Sequence, residues 1–222
     1  MRTAVIIPCY CEEKFIGDVV KKVRSYVDNV VVVDNGSSDG TVLEARKAGA
    51  VVVYSHRKGM GAAISKGIQT ADADIYVTMD GDGQHNPDDI PKLLQPILEG
   101  NADFVVGVRV DNGSMPKYRR LVNDILARFY SFNSPIKLQD VQCGYRVFNK
   151  KISEIPIKSY GFGCVIELLI KVRKFKLKVM PVEVSCIYHE SIKQNSTLNP
   201  IKHGIVVICG MIRWMIWERI GL

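Results

Sequence analysis

The chain has six cysteines but no C-x-x-C pair and no Cys/His cluster at zinc-ligand spacing, which argues against a zinc site or a disulfide framework. Cys9, Cys11, Cys143, Cys164, Cys186 and Cys209 therefore read as buried thiols in a reducing compartment. At 222 residues the fold can bury roughly 70% of the surface its unfolded form exposes, so it needs no covalent or metal staple. Long apolar runs are also missing. Gly204–Ile212, nine residues without a charge before Arg213, falls well short of the ~20 that span a bilayer. Met1-Arg2-Thr3 leads directly into Ala4–Ile7, a stretch too short for the core of a signal peptide, and reads as a first strand. No Gly/Ser linker, low-complexity tract or internal repeat divides the chain. The G-x-G-x-x-G that would follow the first strand of a dinucleotide-dependent dehydrogenase is absent. Aromatic interleaving for base stacking is weak and no nucleic-acid motif occurs, so nucleic acid is not an expected partner.

Charge is present in quantity and is unevenly divided. The formal net charge of +7 is the sum of −4 over residues 1–111 and +11 over residues 112–222. An acidic front half suits a metal site, and on charge alone a basic back half suits an anionic partner such as nucleic acid, a lipid phosphate or a membrane surface. A solvated basic face would give the same count.

Short β-branched runs at Ala4–Ile7, Val30–Val33, Ala50–Tyr54, Ile75–Met79 and Phe104–Val108 are separated by intervals that each accommodate a helix. That alternation predicts an α/β fold with a parallel sheet and crossover helices. Phe15, Ile16, Val19, Val20 and Val23 have helical spacing, as do Ile90, Leu93, Leu94, Ile97 and Leu98, with Pro87 and Pro91 marking a helix start. In such sheets the loops at the carboxyl ends of the strands build the site. Here those loops are Pro8-Cys9-Tyr10-Cys11-Glu12-Glu13, Asp34-Asn35-Gly36-Ser37-Ser38-Asp39-Gly40-Thr41 and Asp80-Gly81-Asp82-Gly83-Gln84-His85. Two carboxylates one glycine apart can both face a hard cation whose other positions are filled by water and substrate phosphates. Asp and Gly also make turns after strands, and Asp34 and Asp39 alone would be turn and cap residues.

Taken together, Pro8-x-Tyr10-x-Glu12, Asp34-Asn35-Gly36-Ser37-x-Asp39-Gly40-Thr41, Gly59-x-Gly61-Ala62-Ala63 and Asp80-Gly81-Asp82-Gly83-Gln84-His85-x-Pro87 resemble the family-2 inverting glycosyltransferases. The continuation Gly107-x-Arg109, Arg119-x-x-x-Asn123 and Asp140-Val-Gln-Cys-Gly144-Tyr145-Arg146 is most similar to the dolichol-phosphate mannose or glucose synthase group. The resemblance covers roughly residues 4–200. It implies a Rossmann-like glycosyltransferase-A fold with a mostly parallel central sheet. It also implies a nucleotide-sugar donor held by Pro8, Tyr10, Glu12, Asp34, Asn35, Gly59 and Asp80, Mg²⁺ or Mn²⁺ at Asp80, Asp82 and Gln84, and a polyprenyl-phosphate acceptor. Asp82, Asp140, Arg109 and Arg119 are the implied catalytic residues. Cys11 stands where the group often has Asn, and Asn35 where it often has a second Asp. Processive members end in Gln-x-x-Arg-Trp, and here Gly210 takes the glutamine position before Arg213-Trp214, so a processive synthase is not expected.

The implied chemistry places growing negative charge on a leaving nucleoside diphosphate, which a divalent ion stabilises. A lipid monophosphate, with a second pKa of about 6, is already largely dianionic at neutral pH. Such an acceptor needs cations to hold it, which Arg109, Arg119, Arg120 and Lys193 could supply, more than it needs a base. Asp140 is the candidate base or orienting carboxylate. Arg146 could contact substrate or pair with Asp140 or a loop carboxylate, and His85 could orient a donor phosphate or cap the helix opening near Pro87, a supporting role in either case. His189 and His203 are isolated in the sequence and carry no assignment. Residues 1–200 are expected to form the catalytic domain and residues 201–222 a C-terminal amphipathic, interfacial helix with Trp214 and Trp217 at headgroup depth; the alternative is a helix that closes the core. The expected location is the cytosolic face of a membrane, with peripheral attachment. Two other functions fit the same loops. One is transfer to a soluble or protein-bound hydroxyl, with Asp140 as obligate base; the other is a non-catalytic nucleotide-sugar-binding protein.

Overall fold

The structure is a computed structural model that describes residues 1–110, 115, 117–132, 134, 136–187 and 200–220, with the backbone alone at 117–119, 200–206 and 218–220. Its centre is a sheet of seven strands: β1 (Thr3–Cys9), β2 (Asn29–Asp34), β3 (Val51–Tyr54), β4 (Ile75–Thr78), β5 (Phe104–Arg109), β6 (Arg146–Asn149) and β7 (Val179–Val184). They lie in the order β3-β2-β1-β4-β6-β5-β7. All pairings are parallel except those of β6, which runs antiparallel between β4 and β5.

Both faces of the sheet are covered, which is why the inner strands are almost continuously apolar. On one face Val5, Ile7, Val30 and Val32 pack with Ile16, Val19, Val20 and Val23 of α1 (Glu13–Val23), Ala45 of α2 (Thr41–Lys47) and Leu93, Leu94 and Ile97 of α4 (Ile90–Leu98). On the other face Ala4, Ile6, Val31 and Val33 pack with residues of four more helices. These are α3 (Met60–Thr70), α5 (Lys117–Phe132), α7 (Gly163–Lys174) and α8 (Pro200–Ile220). A single turn, α6 (Lys150–Ser153), follows β6. The alternation of adjacent residues between two cores is the period of two expected of a strand. Asn86 accepts from Asp88 N at 3.2 Å and opens a 3₁₀ turn, Pro87–Asp89, that leads into α4.

Val207, Met211 and Trp214 of α8 belong to the same core as Ile166, Ile170 and Tyr130. The expected placement of both tryptophans at headgroup depth is therefore corrected: Trp214 is 4% exposed and Trp217 half-buried. Its ring meets Trp214 edge-on at 5.4 Å, and Lys171 Nζ lies 4.7 Å from the Trp214 ring centre. All six cysteines are free. Four are buried as expected, but Cys11 and Cys209 are exposed. Among the described residues no helix is long and apolar enough to cross a membrane.

Candidate functional site

The carboxyl ends of β1, β2 and β4 share one edge, and the polar loops meet there. Asn35 N donates to Cys9 O at 2.9 Å, Cys11 N to Ser37 Oγ at 2.9 Å and Glu12 N to Thr41 Oγ1 at 2.7 Å, joining the first loop to the second. Asp34 accepts from Gly36 N and Ser37 N, both at 3.1 Å, and so shapes its own turn. Asp39 accepts from Thr41 N at 3.1 Å and from Glu13 N at 3.3 Å. Partial burial opposes its charge, but the hydrogen bonds from Thr41 and Glu13 hold the carboxyl below its ordinary range. Asp34 thus enters the site through the turn that it fixes. Tyr10, 57% exposed, is presented outward from the same edge, and Pro8 sits within β1 opposite Val33.

Gly59, placed by the sequence among donor-binding residues, has φ +116°, and its N–H donates to Asn35 Oδ1 at 3.2 Å. A Cβ on Gly59 would stand 2.4 Å from Tyr160 O, and one on Gly61 only 1.9 Å from Ser159 O. Tyr160 O accepts from Gly61 N at 2.7 Å and Ala62 N at 3.1 Å. Both glycines are thus required by the close passage of the 159–160 backbone, which also caps the N-terminus of α3. Tyr160 was not legible as a site residue, and its phenol accepts from Arg57.

Asp80 and Asp82 follow β4. Gly81 between them leaves no room for a side chain, because a Cβ would meet Cys9 Sγ at 2.5 Å. Gln84 N donates to Asp82 Oδ1 at 3.0 Å, and the Gln84 amide to Asp82 Oδ2. His85 Nε2 lies 3.2 Å from Asp80 Oδ2. The buried His85 ring packs on Tyr145 at 4.8 Å, and its backbone bridges to Cys186. Burial raises the Asp80 pKa, but the His85 hydrogen bond and the charges of His85, Arg109 and Arg146 outweigh it and keep the group low. Asp82 goes the other way, raised by burial and then by Asp80. Glu12 is pushed up to about 7, first by burial and then by Asp82, Asp80 and Asp39. Several carboxylates thus repel one another at one place, which is the electrostatics of a cation site.

Among the described residues no three His, Cys, Asp or Glu side chains surround one point. The available donors are the hard oxygens of Asp80, Asp82 and Gln84. That set fits Mg²⁺ or Mn²⁺, which accept few protein oxygens and complete their shells with water and phosphate.

Beyond β4, Asp140 accepts five hydrogen bonds. Arg109 Nε donates to Oδ2 at 2.6 Å and its terminal nitrogen to Oδ1 at 3.1 Å; Gln142 N and Cys143 N donate to Oδ1 at 3.0 and 3.1 Å; Arg109 N reaches Oδ2 at 3.5 Å. Of the alternatives open for Arg146, a pair with Asp140 is not made: that carboxylate pairs with Arg109. Arg146 is buried and donates to the carbonyls of Cys143, Val165 and Val141, tying the 141–143 turn to α7. Burial lowers its pKa to about 10. Next to this pair lies an open cleft of about 380 Å³ lined by Val108, Arg109, Met115, Arg120, Asn123, Asp124 and Gln139. Asn123 donates to Gln139 O at 3.3 Å, and its buried Oδ1 has no partner among the described residues. The Arg119 backbone lies in the first turn of α5. Its side chain, like that of His203, lies outside the described residues, as do His189 and Lys193 altogether.

A Rossmann-like sheet with one reversed strand, carrying an Asp-x-Asp loop at the carboxyl edge of its fourth strand, defines a glycosyltransferase of the A fold. Residues 4–155 match the family model "Glycosyl transferase family 2". The chain therefore belongs to glycosyl transferase family 2. It is 34% identical over 215 residues to a UDP-N-acetylglucosamine–dolichyl-phosphate N-acetylglucosaminyltransferase of Methanococcus voltae, covering 84% of this chain and 86% of that protein. It is 30% identical over 226 residues to a dolichyl-phosphate hexose transferase of Haloferax volcanii, covering 99% and 96%. Among solved structures it superposes on the glucosyl-3-phosphoglycerate synthase of Mycobacterium tuberculosis in complex with UDP. The TM-score is 0.78 at 23% identity, with 96% of this chain and 80% of that chain covered. The same synthase with Mn²⁺, UDP-glucose and phosphoglyceric acid gives a TM-score of 0.77 at 22% identity, covering 96% and 79%.

Proposed function

We propose that this glycosyltransferase moves a hexose, with inversion, from a nucleotide-sugar of the GDP-mannose or UDP-glucose type to a polyprenyl (dolichyl) phosphate. The observation that carries the acceptor assignment is the coordination of Asp140. A carboxylate has about four lone-pair sites, and Asp140 already accepts from Arg109, Gln142 and Cys143. A general base must offer an accessible lone pair to the proton it removes, whereas Asp140 is 2% exposed, its Oδ1 accepts three hydrogen bonds, and its Oδ2 faces Arg109 Nε at 2.6 Å and Arg109 N at 3.5 Å. A hydroxyl acceptor would need that base; an anionic phosphate would not. The cleft beside Asp140 instead offers guanidinium groups and an amide, with Arg109, Arg120 and Asn123 suited to phosphate oxygens.

On the donor side, the first two loops would hold the nucleotide and Asp80, Asp82 and Gln84 would hold Mg²⁺ or Mn²⁺. The bound ion would supply electrostatic stabilisation of the departing diphosphate. The protein groups do the rest: His85 orients Asp80, Gln84 orients Asp82, and Asp140 holds Arg109 at the edge of the cleft.

A polyprenyl chain stays in the bilayer, so the site must approach the headgroup plane. Support comes from α5, which exposes Leu121 (61%), Ile125 (50%), Phe129 (36%) and Phe132 (89%) on one face. Ile212 and Ile216 are exposed on α8, which packs against α5. Arg120, Arg128 and Arg213 are exposed on the same two helices, as suits an anionic leaflet. In this reading residues 1–200 form the catalytic domain, α8 adds an interfacial edge, and the protein attaches peripherally to the cytosolic face of a membrane. A panel of nucleotide-sugars assayed against polyprenyl phosphate and against soluble hydroxyl acceptors tests the proposal. Transfer confined to hydroxyl acceptors would overturn it.

A further inference from the structure

Away from the loops above, α7 buries a Glu and a Lys four residues apart within the apolar run Val165–Val172. Glu167 and Lys171 of α7 are 0% and 3% exposed in their side chains and are paired with each other. The Glu167 carboxylate accepts from two consecutive backbone groups, Lys158 N at 2.7 Å and Ser159 N at 2.6 Å. Lys171 also donates to Pro156 O, and its ammonium faces the rings of Trp214 and Trp217. Trp214 Nε1 donates to Ser159 Oγ at 3.2 Å. A buried ion pair with its remaining lone pairs satisfied gives little net stability but holds whatever its oxygens bind in one geometry.

What it holds is the backbone that presses on the donor side. Tyr160 O receives the N–H groups of Gly61 and Ala62, and Gly59 N in turn holds Asn35 Oδ1. Met60 Cε and both carboxylate oxygens of Asp80 all lie 3.1 Å from the position a Cβ on Gly144 would take, so the turn anchored by Tyr160 borders the Asp-x-Asp loop. We propose that Glu167 is a positioning residue for donor binding: it fixes residues 158–160, these fix the Gly59–Ala62 turn, and that turn fixes Asn35 and borders Asp80. Trp214 joins α8 to the same node through Ser159. This inference rests on the reading of the β1, β2 and β4 loops as the nucleotide-sugar site.

The test uses the full chain and calorimetric titration with UDP and with GDP in the presence of Mn²⁺. Glu167→Gln keeps the size of the side chain but removes the charge and one of the two acceptor oxygens. If the ordered turn is then populated about one-tenth of the time, the nucleotide Kd rises about tenfold, while the KM for the acceptor lipid stays the same. Trp214→Phe, which removes one hydrogen bond to the loop and leaves the ion pair, should raise the nucleotide Kd about twofold to threefold by the same population argument. A purely structural role predicts a lower Tm with unchanged Kd in the folded protein, and that result overturns the proposal. Should Glu167→Gln not fold, an unchanged Kd in Trp214→Phe overturns it equally. Failure of the wild-type chain to bind either nucleotide would overturn the donor-site reading and this inference together, whereas equal binding by wild type and variants overturns this inference alone.

Discussion

Arg109 and Asp140 meet through two parallel hydrogen bonds, Nε to Oδ2 at 2.6 Å and the terminal nitrogen to Oδ1 at 3.1 Å. They join the end of β5 to the turn that leads into β6. Asp140→Asn should remove the carboxylate charge that Arg109 grips and cost about 3 kcal/mol, the range for breaking a buried pair from one side. The double variant Arg109→Met/Asp140→Asn, which keeps a side-chain oxygen for Gln142 N and Cys143 N, should recover most of that stability in chemical denaturation while transfer remains lost. Wild-type transfer rates retained in the double variant would remove this pair from the site.

In the proposed function Asp80 and Asp82 would supply the carboxylate oxygens for a divalent ion. Asp82→Ala should lower turnover by several orders of magnitude, on the scale of lost electrostatic stabilisation at a leaving group, and leave the circular dichroism spectrum unchanged. EDTA should abolish wild-type activity, and Mg²⁺ or Mn²⁺ should restore it. Full activity in EDTA would refute the metal assignment.

Glu12, at about 7 in the folded chain against an ordinary 4.5, gives a signed pH dependence. The folded state keeps this proton where the unfolded state has lost it, so the metal-free protein loses stability as pH rises from about 4.5 to about 7. Glu12→Gln should therefore raise the Tm of the metal-free protein at pH 8, with the difference vanishing near pH 4. A cation held at Asp80 and Asp82 would favour the deprotonated Glu12 beside them, so the apparent Mn²⁺ affinity of the wild type should fall as pH drops below about 7. A pH-independent Tm difference would argue against the coupling.

Cys11 has φ +57°, a conformation that costs a non-glycine residue roughly 1–2 kcal/mol and that Asn tolerates better. Cys11→Asn should stabilise the chain by about 1 kcal/mol, or about 2–4 °C in Tm for a protein of this size. Differential scanning calorimetry checks it, and a lower Tm would show that the Cys11 thiol, 3.8 Å from Ser38 Oγ, contributes more than the backbone relief.

The exposed face of α5 offers a separable test of membrane contact. Leu121→Glu and Phe132→Glu should each weaken binding to anionic liposomes about tenfold, the equivalent of 1.4 kcal/mol, and raised salt should weaken wild-type binding as well. Because both residues are exposed at 61% and 89%, the Tm should not move. Sedimentation of the variants with liposomes at wild-type levels would place the contact elsewhere.

The front half was legible because its strands other than the edge strand β3 are buried on both faces: runs such as Val30–Val33 carry no competing pattern. The last two strands gave no such signal. β6 has four residues and begins with the arginine that is buried against carbonyls. β7 alternates exposure and contains Pro181, as an edge strand can. Within the site, Asp80, Asp82 and the first two loops stood out because their residues are adjacent in sequence. The Arg109–Asp140 pair spans 31 positions, and the Tyr160–Gly61 contact nearly a hundred, so neither had a local signature. Glu167 did have one, a charged pair at helical spacing within an apolar run.

The reversed strand also sets an order of assembly. Among the described residues β4 and β5 touch through β6 and not directly, and β7 adds to β5 alone. Until residue 149 has left the ribosome, β5 has no partner strand, and its sequence Phe-Val-Val-Gly-Val-Arg presents unpaired backbone and apolar side chains to other chains. Any fragment that stops between residues 109 and 146 carries two open strand edges where the finished protein has a closed seam. Such a fragment should aggregate during synthesis, whereas a ribosome pausing just beyond β6 would release a nascent chain whose first six strands can already pair.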